Sequence, residues 1–214
     1  MTAEMIQCTP MLEKIDKDLL QKYMSDSYLY TKHYAKGVTV YNHRDSCSTL
    51  DIVICGSLIS YSLSENGSST VMFEFEKNSV LGANLLFGEN REYPLNIYCL
   101  TDCQLLHIKQ KAVAEFLHDY NFVMKYIKSL SQNSQGMNRK IAMFTQKTLR
   151  ENILDYLKHQ STIQNSSFIT LPISKKQLAD YLGVQRPSLF RELKKMKDEK
   201  IIDINNRNIK ILLN

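Results

Sequence analysis

No apolar run in this chain approaches the ~20 residues that a membrane-spanning helix needs, so no membrane partner is expected. The first 30 residues lack the basic-then-apolar order of an export signal, which points to a cytoplasmic protein. No two cysteines form a C-x-x-C pair, and the five (Cys8, Cys47, Cys55, Cys99 and Cys103) are odd in number. That pattern suits reduced thiols better than a disulfide framework. The histidines (His33, His43, His107, His118 and His159) make no H-x-H or H-x-x-x-H set, which disfavours a metal-dependent cupin enzyme. A P-loop, a dinucleotide fingerprint and a Ser/His/Asp arrangement are missing too. The chain is therefore expected not to be an enzyme, and its sequence requires no cofactor.

What is present is unevenly spread. At 214 residues and 43% hydrophobic content, the chain can bury one large or two small cores. Residues 1–146 carry 14 Lys and Arg against 15 Asp and Glu, a net of −1. Residues 147–214 carry 13 against 7, a net of +6. A near-neutral front joined to a basic tail fits a sensor or scaffold attached to a polyanion binder.

Met11, Leu12, Ile15, Leu19, Leu20 and Tyr23 recur at helical spacing, which predicts a short amphipathic helix over 10–26. From Tyr28 to Ile108 the texture becomes short β-rich runs: 38–41, 50–55, 58–63, 70–75 and 95–100. Turn signals at Lys36-Gly37, Gly56, Glu65-Asn66-Gly67 and 82–90 separate them, and five of the seven glycines lie between 37 and 88. Evenly spaced short strands predict a jelly roll or sandwich.

Helical spacing then returns, with a short helix over 109–118 and a long one over 121–146. The long helix carries Val123, Ile127, Leu130, Ser134, Met137, Ile141 and Phe144 in a 4-3-4-3 alternation, a heptad seam. Such a seam predicts a parallel homodimer, although it could instead pack on its own β-domain. The polar stretch Ser131–Gln135 interrupts it, where it could fix register or touch a ligand. A third helix is expected over 147–159, a polar loop over 160–167, and strands over 168–171 and 201–213, the latter folded back at 205–208.

The most informative stretch is Ile173–Lys197. Ser174 and Gln177 form an S-x-x-Q capping box, flanked by the staple pair Ile173 and Leu178. Gly183 can take the left-handed conformation that ends a helix. A second helix opens near Gln185 with Pro187 in its first turn, where a missing N–H costs little. Leu189, Leu193 and Met196 form one buried stripe, leaving Arg186, Arg191, Lys194, Lys195 and Lys197 off it. Helix, short turn and basic second helix is a DNA-reading helix-turn-helix pattern, and the flanking strands make it winged.

The run QLADYLGVQRPSLFREL, residues 177–193, resembles the hIAxxLGxSRETVxRxLxxL pattern of the Crp/Fnr family of bacterial transcription regulators. The order of parts resembles that family over essentially the whole chain. The resemblance implies an α+β protein: a jelly-roll (cupin-like) effector domain over 1–120, a dimerisation helix over 121–146 and a winged helix-turn-helix over 147–214. It implies that Arg186 and Arg191 enter the major groove, where an arginine fork can bond guanine O6 and N7. Ser188 matches a phosphate-bonding hydroxyl. Lys175, Gln185 and Lys194 complete the expected DNA-binding set with Phe190, which either packs on a thymine methyl or against its own domain. Pro187 stands where the family has a base-reading glutamate, so the operator should differ from the one that glutamate selects.

The ligand side departs further from the family. Cyclic-AMP-binding members carry a Gly-Glu pair and a later Arg-Ser; here Gly82 is followed by Ala83, and Tyr93-Pro94 replaces Arg-Ser. Losing that arginine removes the charge-assisted partner of the cyclic phosphate. Candidate effector contacts are Gly82, Ala83, Asn84, Arg91, Tyr93, Pro94, Ser131 and Gln135. The expectation is a homodimer on double-stranded DNA, controlled by a small effector other than cyclic AMP, with RNA polymerase a candidate partner. The alternative is a redox, haem or metal sensor using the roll or its cysteines, of which Cys99 and Cys103 could share a strand face.

Overall fold

The computed structural model describes residues 3–63 and 69–212. The expected turn at Glu65-Asn66-Gly67 lies outside them. Two short helices, α1 (Ala3–Gln7) and α2 (Lys17–Ser25), precede eight strands. These are β1 (Leu29–Tyr34), β2 (Thr39–Tyr41), β3 (Thr49–Cys55), β4 (Leu58–Leu63), β5 (Ser69–Phe75), β6 (Val80–Leu81), β7 (Asn96–Cys99) and β8 (Cys103–Lys109). They form two four-stranded sheets, ordered β1-β8-β3-β6 and β2-β7-β4-β5. Leu50, Ile52, Leu105 and Leu106 of the first sheet and Leu58, Ile97 and Cys99 of the second belong to one buried core. This is the expected jelly roll.

Residues 49–53 of β3 are buried without a break, because both faces of the strand are covered. One face carries Leu50 and Ile52, which lie across from Ile108 and Leu106 of β8. The other carries Asp51, directly opposite His107. Both polar groups are sealed in, at 0% and 2% exposure. His107 Nδ1 lies 2.8 Å from Asp51 Oδ1, and Tyr41 from the facing sheet donates to Asp51 Oδ2 at 2.5 Å. The Tyr34 hydroxyl is 3.1 Å from His107 Nε2, and the Tyr30 ring stacks on the imidazole. Burial first, and then the Asp51 charge, pushes the Tyr34 hydroxyl up to about 12. Buried polar groups of this kind persist only when bonded to one another.

The first helix differs from the expectation over 10–26. Thr9, Leu12 and Ile15 each donate to the carbonyl three residues earlier, so 6–15 is a chain of tight turns. The helix begins only after Asp16, whose side chain accepts from the Leu19 amide at 2.9 Å. Met11, Leu12, Ile15, Leu20 and Tyr23 are all buried nonetheless. The apolar spacing reported burial correctly and the helix start wrongly.

After β8 come α3 (Gln110–Phe116), α4 (Tyr120–Thr145) and α5 (Leu149–Gln164). The 26-residue α4 runs unbroken through 131–135, so that polar stretch interrupts only the seam and not the helix. A capping box of Thr148 and Glu151 starts α5. The helix continues to Gln164 and ends at Asn165 in the left-handed conformation, so most of the expected loop over 160–167 is helical. The chain closes with β9 (Phe168–Thr170), α6 (Lys175–Tyr181), α7 (Arg186–Asp198), β10 (Ile202–Asn205) and β11 (Asn208–Ile211). The three strands pair in the order β10-β11-β9, the wing. A second core of Ile153, Leu157, Leu178, Leu189, Leu193, Met196, Ile202 and Ile209 holds this part together. The residues fall into two compact units, Met1–Ser62 with Phe73–Met137 and Leu63–Met72 with Asn138–Asn214. Part of α4 thus belongs to each, rather than forming a segment of its own. Among the described residues no helix is long and apolar enough to cross a membrane.

Candidate nucleic-acid interface

The helix-turn-helix forms by the local chemistry its sequence announces. Ser174 accepts from the Gln177 amide while the Gln177 side chain accepts from the Ser174 amide, closing the capping box. Gly183 holds φ at +66°, in the left-handed region, and turns the chain between α6 and α7. Gln185 stands at the N-cap position of α7 without a side-chain capping bond, and Pro187 occupies the first turn.

At 100° per residue, Leu189, Leu193 and Met196 share one side of α7, and all three are buried. Pro187, Phe190, Arg191 and Lys194 share the opposite side and are exposed, with exposed Arg186 and Lys197 beside them. Phe190 is 48% exposed, so part of its ring is open on this side. The Lys175 ammonium, from the start of α6, sits 5.6 Å from the Phe190 ring centroid, joining the two helices across one surface. Arg191 lies back along α7, with Nε 3.3 Å from the Pro187 carbonyl and Nη2 3.4 Å from Ser188 Oγ. Both bonds are long, so the guanidinium can leave them for a better acceptor. Ser188 itself is half-buried.

The sequence did not single out Arg150, whose role depends on residues more than 40 positions away. It reaches from α5 to bond Glu192 Oε1 at 2.7 Å and both carboxylate oxygens of Glu199, at 2.6 and 3.2 Å. The guanidinium holds the Glu199 carboxyl below its ordinary range. Glu192 and Glu199 are thereby drawn toward Arg150, which offsets one of their two charges, while the cations of α7 stay on its exposed side. Replacing Lys194, in the third turn and away from the base-reading N-terminal end, should weaken specific and scrambled DNA alike. The slope of log affinity against log salt should fall by about 1 on titration at several salt concentrations.

The expected effector residues do not converge. Gly82, Ala83 and Tyr93 come together in the buried interior. Gly82 has φ +80°, and a Cβ there would lie 2.7 Å from the Thr49 carbonyl and 2.9 Å from Cys47 Sγ. Tyr93 is 3% exposed, and its ring stacks on Tyr41 at 4.2 Å. Its hydroxyl lies beside the Cys47 thiol and Gly82 but makes no well-formed hydrogen bond. Tyr126 of α4 donates to the Ala83 carbonyl at 2.7 Å, fastening the same loop. Asn84 and Pro94 are exposed, and Arg91 is turned outward toward Gln110, with Nη1 3.4 Å from Oε1. Ser131 and Gln135 are exposed on α4.

The dimer seam also needs correcting. Leu130 packs against the roll's own core, and Val123 is half-buried. The apolar residues of α4 left exposed are Tyr120, Met124, Ile127, Met137 and Ile141. Ser134 is exposed among them, and the Phe144 side chain lies outside what is described. The stripe is therefore rotated slightly from the heptad assignment.

The strand pair Cys99 and Cys103 gives little support to a thiol sensor, while Cys8 and Cys55 are exposed. Cys99 and Cys103 are both buried, and burial, with Cys103 alongside, pushes the Cys99 thiol up to about 12. A thiol so shifted holds almost no thiolate, the reactive form. Among the described residues no group of three or more His, Cys, Asp or Glu is placed to hold a metal ion.

An antiparallel roll, a long helix and a winged head with a cationic reading face define a DNA-binding regulator. Residues 31–120 match the cyclic nucleotide-binding domain, and residues 152–213 match the Crp-like helix-turn-helix domain. The chain belongs to the Crp/Fnr family of transcription regulators. Among curated proteins it is similar to the HTH-type transcriptional regulator ArcR of Staphylococcus aureus, 25% identical over 206 residues, covering 91% of this chain and 84% of that protein. Among solved structures it is similar to a Crp/Fnr-family regulator from Eubacterium rectale, with TM-score 0.67, 20% identity and coverage of 95% and 94% of the two chains. The c-di-GMP-responsive regulator CLP of Xanthomonas campestris gives a TM-score of 0.72 at 19% identity, covering 93% of this chain and all of that one. At such identities these structures speak for the fold.

Proposed function

We propose that this regulator binds a pseudo-palindromic operator as a homodimer in the cytoplasm, one α7 per half-site. Lys175, Gln185, Arg186, Ser188, Phe190, Arg191 and Lys194 form the reading surface. The supporting observation is the exposed side of α7, where cations and one aromatic ring face outward while Glu192 and Glu199 are tied to Arg150. Two-fold symmetry would place the half-sites about one DNA turn apart. Occupation of the operator then sets the access of RNA polymerase to the promoter. Any effector of the roll is something other than cyclic AMP. The glutamate and arginine that would meet a cyclic phosphate are Ala83 and Tyr93, and Tyr93 is packed into the interior.

The exposed stripe Ile127, Met137 and Ile141 is the surface a second copy would cover. Introducing Ile127→Glu with Ile141→Glu should convert a sedimenting dimer into a monomer. Enrichment of a palindrome from random DNA should disappear with it. A wild-type chain that sediments as a monomer and still enriches a palindrome would sink this reading.

A further inference from the structure

The winged unit contains a cavity of about 450 Å³ that the DNA-reading surface does not use. Its walls come from the last turns of α4, from α5 and from the end of α6. That volume falls within the range of small-molecule sites. Arg139 enters from α4, Lys147 from the link before α5, Asp155, Tyr156 and His159 from α5, and Tyr181 from α6. We propose that this cavity is a binding site for a small aromatic anion.

The charge at the site carries the argument. Asp155, the one carboxylate in the lining, is already bonded by Lys147. Among the described residues Arg139 has no ion-pair partner, so the unbalanced charge lining the cavity is positive. A second cation lies close by: the Lys140 ammonium sits 4.0 Å from the Tyr181 ring centroid and bonds the Tyr181 and Val71 carbonyls at 3.1 and 3.2 Å. A guanidinium fork suits a carboxylate, sulfonate or phosphate, and binds it in two places at once. The Tyr156 and Tyr181 rings, 5.4 Å apart and tilted by 57°, supply the apolar wall that a flat ring would meet.

Two further observations favour a ligand here. Tyr93, Ala83 and Gly82, at the family's phosphate-contacting positions, are buried and uncharged, so the roll offers an anion no charged partner there. On α4, moreover, Arg139, Ala142 and Met143 lie on the side opposite Met137 and Ile141, at 100° per residue. A second copy laid on the apolar stripe would leave the cavity open. The Asn152 side chain, which donates to the Met143 carbonyl at 2.8 Å, fixes the bend between α4 and α5 that forms its floor.

The test uses the full-length protein without DNA, so it stands or falls independently of operator recognition. The probe is 8-anilinonaphthalene-1-sulfonate, titrated by fluorescence, with N-phenyl-1-naphthylamine as the uncharged analogue. The expected result is saturable binding of one sulfonate per chain, with the uncharged analogue about tenfold weaker. Arg139→Glu, on an exposed residue, and Ala142→Trp, which fills the space, should each weaken the sulfonate about tenfold while the melting curve is retained. Should Ala142→Trp fail to fold, Arg139→Glu decides alone. Equal affinity in wild type and Arg139→Glu, equal affinity for the two probes, or no saturable binding would each overturn the proposal.

Discussion

Replacing Asp51 by alanine should cost this protein about 2–6 kcal/mol of stability, from two buried polar groups left unbonded at about 1–3 kcal/mol each. Asp51 is fully buried and is held by His107 and Tyr41 together. Removing it leaves an imidazole nitrogen and a phenol hydroxyl sealed away from water without their acceptor, and each such orphan costs about 1–3 kcal/mol. Replacing Asp51 and His107 by leucine together with Tyr41 by phenylalanine should cost much less, because only the half-buried Tyr34 hydroxyl then loses a partner. Urea unfolding of the three proteins separates the cases. A loss under about 1 kcal/mol for the alanine variant would mean that the cluster is not bonded as described.

The second large effect belongs to the reading helix. Arg186→Ala and Arg191→Ala should each remove about 1–3 kcal/mol of discrimination between the selected operator and scrambled DNA. The loss should fall on the specific complex, since a bidentate arginine contact reads the base and not the backbone. Arg191 must first leave Pro187 and Ser188, and those long bonds oppose the move only weakly. Lys194→Ala provides the contrast, lowering both affinities in parallel. If both arginine variants kept the wild-type ratio of specific to scrambled binding, the assignment of α7 as the base reader would be wrong.

What was legible in the sequence is what local chemistry decides. Ser174 with Gln177, Gly183 and Pro187 sit within a few residues of the atoms they satisfy, so the helix-turn-helix could be placed before any coordinates. The strand runs were legible because alternation and turn residues act over short distances. The start of α2 was misjudged for the converse reason. Turns and helix bury the same apolar spacing, and only the competing cap at Asp16 shows where the helix begins. The Asp51–His107 pair depends on the β3–β8 register across 56 residues, and the Arg150 clamp on a crossing of α5 with α7. Neither arrangement leaves a trace in sequence spacing. The dimer seam was half legible. A heptad pattern shows that a helix has an apolar side, but which of its members the parent roll claims, as it claims Leu130, is decided by packing.

The unbroken course of α4 has a consequence for how this chain can change. An inserted residue in a straight helix turns everything beyond it by about 100° and advances it by about 1.5 Å. Between Ile127 and Met137 a single insertion would carry the second half of the apolar stripe out of phase with the first. Two full turns, or seven residues, would nearly restore the phase. The number of residues along this helix is therefore constrained by the stripe itself.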